Sequence, residues 1–389
     1  MSYDYDAIVI GAGPAGTSVS LHLARQGRSV LLVDGARFPR RKVCGEGIMP
    51  HGLAALRELG LEPKGQPFTG LRYVLEDGTH AESRFPGDLA GLGVQRSWLD
   101  DRLVRLARDE PRIDLRLGTW VQEIELGDPD AVRVRLGGET LSAPVLIGAD
   151  GGRSRIRRLA GLDAPVPRRP RFGVGAHVRH EPNPDPRVEV SLHQGYEVYT
   201  TPVASDLTCV ALLTDREGLR PLQGDLEGGL RAILRQDGGR ARAWAEAPMV
   251  GSVRAIGPLA LRSTRAHAPR LLLVGDAAGA LDPITGEGIS LALVTARIAS
   301  EVLASAYARG DFSARQLASW TRRRGEAIRG LERFTSALLF LSERPRHARR
   351  VVRSLSKSPD TFGRLLGIAA GSAPLSSLRL VDGYRLLVG

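Results

Sequence analysis

The sequence predicts an α/β protein: a discontinuous, Rossmann-like nucleotide-binding domain, an inserted antiparallel-sheet domain and a C-terminal helical segment. Short apolar runs at 7–10 and 29–33 flank a glycine-rich turn and a helical pattern, as at the opening of a parallel βαβ unit. A third apolar run, at 271–274, leads into another glycine-rich turn and a long helix. Between these parallel elements, residues 172–214 alternate between apolar and polar, as antiparallel strands do.

The remaining patterns divide the chain into three regions. A hairpin is expected at 71–85, turning at Asp77-Gly78. From about residue 313 onward the pattern is mostly helical and rich in arginine. We therefore expect the nucleotide-binding domain at 1–68, 96–165 and 263–310, the antiparallel-sheet domain at 69–95 and 166–262, and the helical region at 311–389.

Composition is typical of a globular protein that does not bind nucleic acid. Of 389 residues, 42% are hydrophobic and 25% are charged, the balance of a chain with a substantial core. The formal net charge of +11 is of the sign that nucleic-acid binding needs. However, the basic residues are spread over most of the chain, without zinc-finger spacing, an RNP-like stretch or a basic arm. We therefore expect no nucleic-acid partner.

The cysteines and the N-terminal sequence predict a cytoplasmic protein. Cys44 and Cys209 cannot form a disulfide framework and suit a reducing compartment. The first six residues lack the basic region of a signal peptide, and no apolar run approaches the length that spans a bilayer. Peripheral contact with the inner face of the membrane stays open, since the arginine-rich stretches 322–324 and 344–350 could meet anionic headgroups. An ordinary solvated helix face is the competing interpretation.

The first motif is a glycine-rich turn placed directly after a strand and at the start of a helix. Its first glycine permits a tight turn, its second lets the backbone approach a pyrophosphate, and its third lets helix and strand pack closely. The helix N-terminus adds partial positive charge. Asp34, 18 residues beyond Gly16, ends the second strand, where a ribose-binding carboxylate is expected. We assign these residues to dinucleotide binding: Gly11, Gly13, Pro14, Ala15, Gly16, Asp34 and Gly35.

The second motif identifies the dinucleotide through a resemblance. The segment 271–289, with Gly275-Asp276 after the strand and Asp-Pro-Ile-Thr-Gly-Glu-Gly-Ile before the helix, resembles the second flavin-binding signature of FAD-dependent hydroxylases and geranylgeranyl reductases. The resemblance implies that Asp276 bonds the ribityl chain. It also implies that the turn after Pro283 and the following helix face the flavin pyrimidine ring, where reduced flavin carries negative charge. The residues implied are Gly275, Asp276, Pro283, Gly286, Gly288 and Ile289.

Two further segments match the same family. The stretch 146–158 resembles the Asp-Gly signature of single-component hydroxylases, which implies contact of Asp150 with both FAD and NAD(P)H. In 94–100 the family arginine is Arg96, which the resemblance places at the FAD pyrophosphate, where a guanidinium pairs with phosphate oxygens. A plain surface arginine is the alternative for Arg96. Val121 is also assigned to the cofactor.

The loop 38–47 resembles geranylgeranyl reductases, flavin halogenases and related polyketide-tailoring oxygenases through its Pro-Arg-x-Lys-x-Cys-Gly pattern. In those proteins the loop lies beside the flavin, which implies cofactor contacts for Arg41, Cys44 and Gly45. Cys44 is also a catalytic candidate, with a buried small apolar residue as the alternative. Glu46 is a candidate proton donor, with an ordinary loop carboxylate as the alternative.

Together, over about the first 310 residues, these motifs resemble the FAD-dependent superfamily of p-hydroxybenzoate hydroxylase, geranylgeranyl reductase and flavin halogenase, with a glutathione-reductase-like FAD fold. The resemblance implies non-covalent FAD. Because no second Gly-x-Gly-x-x-Gly occurs, NAD(P)H is expected to dock only transiently as the reductant. No metal-ligand spacing is present.

The first functional expectation is an NAD(P)H-dependent monooxygenase. Molecular oxygen would form a flavin C4a-hydroperoxide, which would hydroxylate a small lipophilic, aromatic or polyketide-like substrate. The strand 195–203 is expected to lie above the flavin with alternate side chains toward the substrate. Tyr196, Tyr199 and Pro283 are therefore catalytic candidates; packing is the alternative for the tyrosines.

Three other functions are alternatives to the monooxygenase. A geranylgeranyl-reductase-like double-bond reductase of an isoprenoid or polyene fits equally well, except that Tyr196 to Pro202 lacks the family's Tyr-x-Trp-x-Phe-Pro. A flavin halogenase lacks its Trp-x-Trp-x-Ile-Pro signature, and none of Lys42, Lys64 and Lys357 has a recognisable catalytic context. A non-enzymatic flavin- or lipid-binding protein at the membrane surface is the third alternative.

Overall fold

A computed structural model describes residues 3–182, 185–373, 375–379 and 381–382 of the chain. Its strands, in chain order, are β1 (Ala7–Ile10), β2 (Val30–Asp34), β3 (Gly47–Ile48), β4 (Gln66–Phe68), β5 (Gly70–Leu75), β6 (His80–Arg84), β7 (Gly91–Gly93), β8 (Ile113–Leu117), β9 (Glu123–Glu125), β10 (Val132–Leu136), β11 (Glu139–Ala143), β12 (Leu146–Gly148), β13 (Phe172–Arg179), β14 (Arg187–His193), β15 (Tyr196–Ala204), β16 (Leu207–Thr214), β17 (Arg254–Ile256), β18 (His267–Ala268) and β19 (Leu271–Leu273).

The helices alternate with these strands in the first part of the chain and follow one another in the last part. They are α1 (Pro14–Arg25), α2 (Pro50–Glu58), α3 (Arg96–Asp109), α4 (Arg155–Leu159), α5 (Arg216–Leu219), α6 (Leu226–Arg235), α7 (Gly288–Arg309), α8 (Ala314–Ser342), α9 (Pro345–Ser356) and α10 (Pro359–Ala369).

The nucleotide-binding layer is a mainly parallel sheet with the strand order β18-β19-β12-β1-β2-β8. Strands β19, β12, β1, β2 and β8 are parallel, and β18 joins the edge antiparallel. The β1 run Ala7–Ile10 and the apolar part of β2 are buried on both faces, which is why these strands are apolar throughout rather than alternating. Because parallel neighbours end at one edge, the turns after β1, β2, β12 and β19 lie side by side.

The inserted layer is a sheet with the order β17-β13-β16-β15-β14-β5-β6. Its pairs are antiparallel except β14 and β5, which run parallel in the register Arg187↔Gly70 to Leu192↔Leu75. The sheet is therefore mixed where an antiparallel one was expected. The hairpin β5–β6 belongs to an earlier segment of the chain, and β5 pairs with the edge of β14. No short turn connects β5 to β14, so the two strands need not run antiparallel.

Two small antiparallel sheets accompany the layers. Strands β9, β10 and β11 form a meander that contacts β1 through β11. Strands β3, β7 and β4, with β7 in the centre, form a sheet that contacts β15 of the inserted sheet and helix α7. The domain boundary expected at 68/69 falls between β4 and β5. These contacts fix the loop before β3 between the two main layers.

Helix α7 is long and apolar enough, by length and composition alone, to cross a membrane. The expectation that no segment reaches such a length is therefore wrong. In the structure 61% of its most apolar stretch is buried, and α7 packs against α1, α2 and α8. This environment is that of a core helix in a globular domain.

The C-terminal helices cover both layers. Helix α8 packs along α7 and reaches β18 and β19, whereas α9 and α10 pack on β5 and β6. This arrangement matches the expected α/β class with a helical C-terminal segment. Of the helical region expected at 311–389, residues 374, 380 and 383–389 lie outside the described residues.

Close helix–strand packing at Gly16 generates the first prediction. A Cβ added at Gly16 would lie 1.8 Å from the carbonyl oxygen of Gly11, which is backbone and cannot move aside. We expect Gly16→Ala to lower the free energy of unfolding by about 3 kcal/mol, the upper end for an overpacked core. Urea unfolding measures the change.

The matched control is Gly325→Ala in α8, where an added Cβ meets no heavy atom within 4 Å. This substitution is expected to stabilise the helix by about 0.5–1 kcal/mol. Equal unfolding midpoints for Gly16→Ala and the wild type would contradict the proposed packing role of Gly16.

Candidate functional site

A cavity of about 510 Å³ opens along the carboxyl edge of the parallel sheet. The turn at Gly11–Ala15, the turn at 286–288 and the cavity-facing side of the inserted sheet all line it. The two glycine-rich turns, far apart in sequence, therefore share one cleft. Of the residues assigned from sequence, the following line this cavity: Gly11, Gly13, Pro14, Ala15, Asp34, Gly35, Cys44, Gly45, Glu46, Arg96, Val121, Asp150, Tyr199, Gly275, Asp276, Pro283, Gly286, Gly288 and Ile289.

The first turn has the shape that the glycine spacing implies. Gly11 has φ +109°, and a Cβ there would lie 2.3 Å from the Ala149 oxygen at the end of β12. Gly16 does not line the cavity but packs beneath the turn, against Gly11. Pro14 is the first residue of α1, where its missing N–H costs no hydrogen bond. The α1 N-terminus thus faces the cavity with unpaired N–H groups.

Asp34 ties the first two turns together. One carboxylate oxygen accepts the Ala12 N–H at 2.8 Å, and the other accepts the Ala36 N–H at 2.8 Å. The same carboxylate lies 3.9 Å from the Arg40 guanidinium. The side chain therefore fixes the shape of the cavity wall while lining it.

The loop after β2 places alternate basic residues on opposite sides. Arg40 and Lys42 line the cavity, whereas Arg41 points outward and donates to the Val250 oxygen at 2.9 Å. The assignment of Arg41 to the cofactor is therefore wrong in position. The hydrogen bond to Val250 holds the Arg41 side chain against the segment at 250–251, away from the cavity. Burial, aided by nearby Arg96, lowers the pKa of Lys42.

Arg96 begins α3 and is buried against Asp100, one turn later on the same helix. Its Nε and Nη2 each donate to this carboxylate at 2.8 Å, a bidentate pair. Burial opposes the charge on Arg96, but the Asp100 carboxylate outweighs it and the pKa of Arg96 is raised. The guanidinium is thus held rigidly at the cavity wall, and its contact with a pyrophosphate stays a prediction.

Cys44 and Glu46 lie where the loop meets the inserted sheet. Glu46 has the unusual φ of +59° and is buried. One carboxylate oxygen accepts the Arg96 backbone N–H at 2.8 Å, and the other lies 2.6 Å from His177 Nε2 on β13. Both oxygens are therefore occupied, so Glu46 links α3 to β13 in addition to lining the cavity. The Cys44 thiol lies 3.4 Å from the Glu46 nitrogen.

Two aspartates offer acceptor oxygens to a bound molecule. One oxygen of Asp150 accepts N–H groups from the start of α4, at 2.7 Å from Arg155 and 3.2 Å from Ile156. Its other oxygen is buried without a hydrogen-bond partner among the described residues. The Asp276 carboxylate likewise accepts no hydrogen bond within the described part of the chain. The buried Asp150 oxygen is costly without a donor, and the half-buried Asp276 carboxylate lines the same cavity, so a ligand with hydroxyl groups fits here.

The inserted sheet separates the two tyrosine candidates. Tyr199 lines the cavity, and its hydroxyl donates to the Ile284 oxygen at 3.0 Å in the turn after Pro283. Tyr196 lies on the opposite face, stacked on His193 with ring centroids 4.5 Å apart. Residues three apart on a strand point to opposite faces, so the assignment of Tyr196 to the substrate side is wrong.

Buried Glu287 and half-buried His51 lie side by side at the turn at 286–288, and neither carboxylate oxygen of Glu287 has a hydrogen-bond partner among the described residues. Glu287 is 1% exposed, and burial raises its pKa well above the usual range, which favours the protonated acid. His51 Nδ1 lies 2.8 Å from the Ala370 oxygen and must donate to it, which leaves Nε2, 3.3 Å from Glu287, as an acceptor. Burial lowers the pKa of His51. A neutral pair leaves the positive end of α7 available to an anion.

Glu197, Arg171 and Asp282 form a charged cluster beside Tyr199. Arg171 hydrogen-bonds Glu197 and lies 3.7 Å from the Asp282 carboxylate. Burial raises the pKa of Glu197 to about 7, although Arg171 opposes this shift. Burial also raises the pKa of Asp282. The side chain of Asp282 accepts the Ile284 N–H at 3.0 Å and so holds the Pro283 turn in place.

Several lining residues carry no signature in the sequence. Arg324 of α8 lines the cavity and donates to the Gly279 oxygen, and Ile328 lies one turn further on the same side. Trp120 also lines the cavity, although it is 76% exposed, and its ring covers Gly35. Lys42 lines it too; it is the lysine of the Pro-Arg-x-Lys-x-Cys-Gly pattern, but that pattern assigned it no role. Only the basic composition of the loop and of α8 hinted at these positions.

Comparison with known proteins gives the family. The model of the FAD binding domain family matches residues 4–335. A menaquinone reductase of Mycolicibacterium smegmatis is 30% identical over 80% of this chain and 83% of its own length. Digeranylgeranylglycerophospholipid reductase 1 of Methanothermobacter thermautotrophicus is 29% identical over 83% of this chain and 82% of its own. A solved flavoprotein/dehydrogenase of Cytophaga hutchinsonii has the same fold, with a TM-score of 0.81 and 22% identity over 94% and 92% of the two chains.

The chain belongs to this FAD-binding family and is an FAD-dependent oxidoreductase. The residues at the cavity fit FAD: a glycine turn and helix N-terminus suit a pyrophosphate, and the acceptor oxygens of Asp150 and Asp276 suit hydroxyl groups. The sequence-based expectation of the superfamily is therefore confirmed. The contacts of individual residues with FAD stay predictions.

The free carboxylate of Asp276 generates a prediction about cofactor affinity. Asp276→Ala is expected to raise the dissociation constant for FAD about tenfold or more, the cost of a hydrogen bond to a charged group. Titration of apoprotein followed by flavin fluorescence measures this constant. Asp206→Ala, which removes an exposed carboxylate paired with Arg179, is the control and should leave it unchanged. Equal constants for both variants would show that Asp276 does not contact FAD.

The raised pKa of Glu197 predicts how stability depends on pH. The folded protein holds this proton up to about pH 7, whereas the unfolded chain releases it near the ordinary value of 4.5. The stabilisation is therefore fully present below about pH 4.5 and is lost as the pH rises through about 7. Thermal unfolding should show this fall in the wild type and a smaller fall in Glu197→Gln. Parallel pH profiles would contradict the shift.

Proposed function

We propose that this enzyme reduces carbon–carbon double bonds in the isoprenoid chain of a lipophilic substrate. The observation that carries the proposal is the apolar wall of the cavity beyond the FAD-binding turns. Here the inserted sheet contributes Leu71, Val188, Val190 and Leu213, and Phe68 of β4 adds an aromatic ring. Such a wall binds an apolar chain by burial, with few polar groups to orient it.

The names of the relatives support the same substrate class. By name, the M. smegmatis protein acts on menaquinone and the M. thermautotrophicus protein on digeranylgeranylglycerophospholipid. Both molecules carry isoprenoid chains. The similarity of about 30% over four-fifths of this chain makes an isoprenoid the best-supported substrate class.

Strand β15 shows how this chain departs from the Tyr-x-Trp-x-Phe-Pro pattern of the geranylgeranyl reductases. On β15, Glu197, Tyr199 and Thr201 share the face opposite to Tyr196, and of these Tyr199 and Thr201 line the cavity. When Pro202 is aligned with the proline of Tyr-x-Trp-x-Phe-Pro, these three residues occupy the positions of its three aromatic residues. Only Tyr199 remains aromatic, and its hydroxyl is held by the Ile284 oxygen. We infer a wider and more polar passage beside the flavin than in proteins that keep the full pattern.

The electron balance requires a reductant. Saturation of one double bond takes up a hydride and a proton. The residues of the cavity would hold FAD, which in its reduced form would supply the hydride, and the proton would come from solvent. We infer that NAD(P)H restores the reduced form by transient docking, since the described residues include a single glycine-rich dinucleotide turn after β1. The chain's own residues exclude water from the apolar wall and hold the Pro283 turn through Asp282.

Hydroxylation is the second candidate function. The turn containing Asp150 and Gly151 lines the cavity, and it carries the signature that resembles single-component hydroxylases. Oxygen would then react in the same cavity with a smaller lipophilic or aromatic substrate. The two candidate functions predict different products from the same enzyme, reductant and substrate.

Product analysis tests the proposal. Holoenzyme, NAD(P)H and a short-chain menaquinone are incubated with and without oxygen, and the products are identified by mass spectrometry. The proposal predicts a product with two added hydrogens in the side chain, formed without oxygen. A product that gains an oxygen atom, formed only in air, would support hydroxylation and contradict the proposal.

Filling the apolar wall should slow this reaction selectively. We expect Leu71→Trp to lower kcat/KM for the isoprenoid substrate about tenfold, because the larger ring occupies the space of the chain. The flavin spectrum and unfolding temperature check that the variant retains FAD and folds. Leu159→Trp, at a side chain that is 52% exposed, is the control. Equal kinetics in the two variants would place the substrate elsewhere.

A further inference from the structure

Helix α9 exposes a continuous basic surface. From residue 344 to 359 the chain has six Lys or Arg residues and no Asp or Glu. All six side chains are exposed. We name this surface the basic face of α9; it consists of Arg344, Arg346, Arg349, Arg350, Arg353 and Lys357.

The opposite side of α9 lies against the substrate end of the cavity. Val352 and Leu355 are buried in an apolar cluster that also contains Met49, Phe68 and Leu71. The last three residues line the cavity. The helix that carries the basic face and the apolar wall of the cavity therefore share one apolar cluster.

Exposed acids lie beside three members of the basic face of α9, namely Arg344, Arg349 and Arg353. Asp77 lies 3.7 Å from Arg349 and 3.8 Å from Arg353, and Glu343 lies 3.9 Å from Arg344. Their carboxylates are themselves exposed, so these pairs are weak and screened by salt. Beside the face, Phe340 is 50% exposed, with the Arg344 guanidinium 3.8 Å from its ring centroid.

We propose that the basic face of α9 docks the enzyme on an anionic lipid bilayer. The proposal rests on the proposed function, because a substrate with an isoprenoid chain resides in a membrane and must reach the cavity beneath α9. Anionic headgroups complement the charge of the face, and juxtaposed Lys and Arg side chains each strengthen such binding. Phe340 suits the headgroup region, where aromatic rings partition. Because the apolar side of α9 is already buried, attraction of charges rather than helix insertion drives the contact.

Vesicle binding tests the proposal without any turnover. Holoenzyme is sedimented with vesicles of phosphatidylcholine alone and with vesicles containing phosphatidylglycerol. We expect binding to the anionic vesicles to be at least about tenfold tighter than to the neutral ones, and to weaken as NaCl rises from about 0.05 M to about 0.5 M. Equal binding to both vesicles, or binding to neither, would overturn the proposal.

Reversing the charge of two arginines tests whether the basic face of α9 is the docking surface. The double variant Arg346→Glu/Arg349→Glu is expected to weaken binding to anionic vesicles about tenfold or more. The control Arg105→Glu/Arg108→Glu on α3 changes net charge equally at exposed positions elsewhere. An equal loss in the control would show non-specific attraction by net charge and overturn the assigned face. Tighter binding of a short DNA duplex than of vesicles, lost in the α9 variant, would make the partner nucleic acid instead.

Activity in two substrate forms separates this inference from the proposed function. The α9 variant should reduce detergent-dispersed menaquinone at the wild-type rate and vesicle-embedded menaquinone more slowly. A fall in both forms would mean a structural role for these arginines and would contradict docking. If the wild type reduces neither form but binds anionic vesicles through α9, the proposed reductase function fails while the docking surface stands.

Discussion

The parallel order β19-β12-β1-β2 is the constraint on which the rest of the structure depends. Parallel neighbours end at one edge, so four turns separated by as many as 263 residues in sequence, from residue 11 to residue 274, lie next to one another. The turns after β1, β12 and β19 bring glycines and two carboxylates to that edge, and the turn after β2 adds Asp34. Loss of this order would leave each motif as an isolated turn.

Some charged groups at the cavity are neutralised by a partner or by burial, and other groups have no hydrogen-bond partner. Arg96 is neutralised by Asp100, and Glu287 is kept neutral by burial beside His51. By contrast, one oxygen of Asp150 and both carboxylate oxygens of Glu287 are buried without a hydrogen-bond partner among the described residues, and the half-buried Asp276 carboxylate also accepts no hydrogen bond from them. Paired groups fix the walls, and the unmatched acceptors are those that a cofactor with hydroxyl groups would satisfy. The electrostatic design thus favours one elongated ligand across the turns.

Much of this cavity could be predicted from sequence, because its motifs are local. A strand, a glycine turn and a helix start occupy consecutive residues, so the roles of Gly11 and Gly16 follow from spacing alone. The alternation of side chains along a strand could also be read from the sequence. Tyr196 and Tyr199 are three residues apart, so they cannot share a face. The orientation of Arg41 was less accessible, because the loop at 36–46 is irregular and no periodicity governs it.

Other lining residues could not be predicted, because they depend on packing between distant segments. Arg324 and Ile328 reach the cavity only because α8 lies along α7, and nothing in the sequence near them marks this contact. The link between α9 and the cavity likewise arises through Met49, Phe68 and Leu71, from three separate elements. Such relationships exist only in the assembled fold.

The FAD-binding turns and the apolar wall line one cavity. Binding of a short polyprenyl ligand to the holoenzyme, followed by the visible absorbance of the flavin, tests whether ligand and flavin share it. We expect a saturable change in the flavin spectrum that Val190→Asp, in the apolar wall, abolishes while FAD is retained. Saturable binding of the ligand that leaves the flavin spectrum unchanged would contradict it.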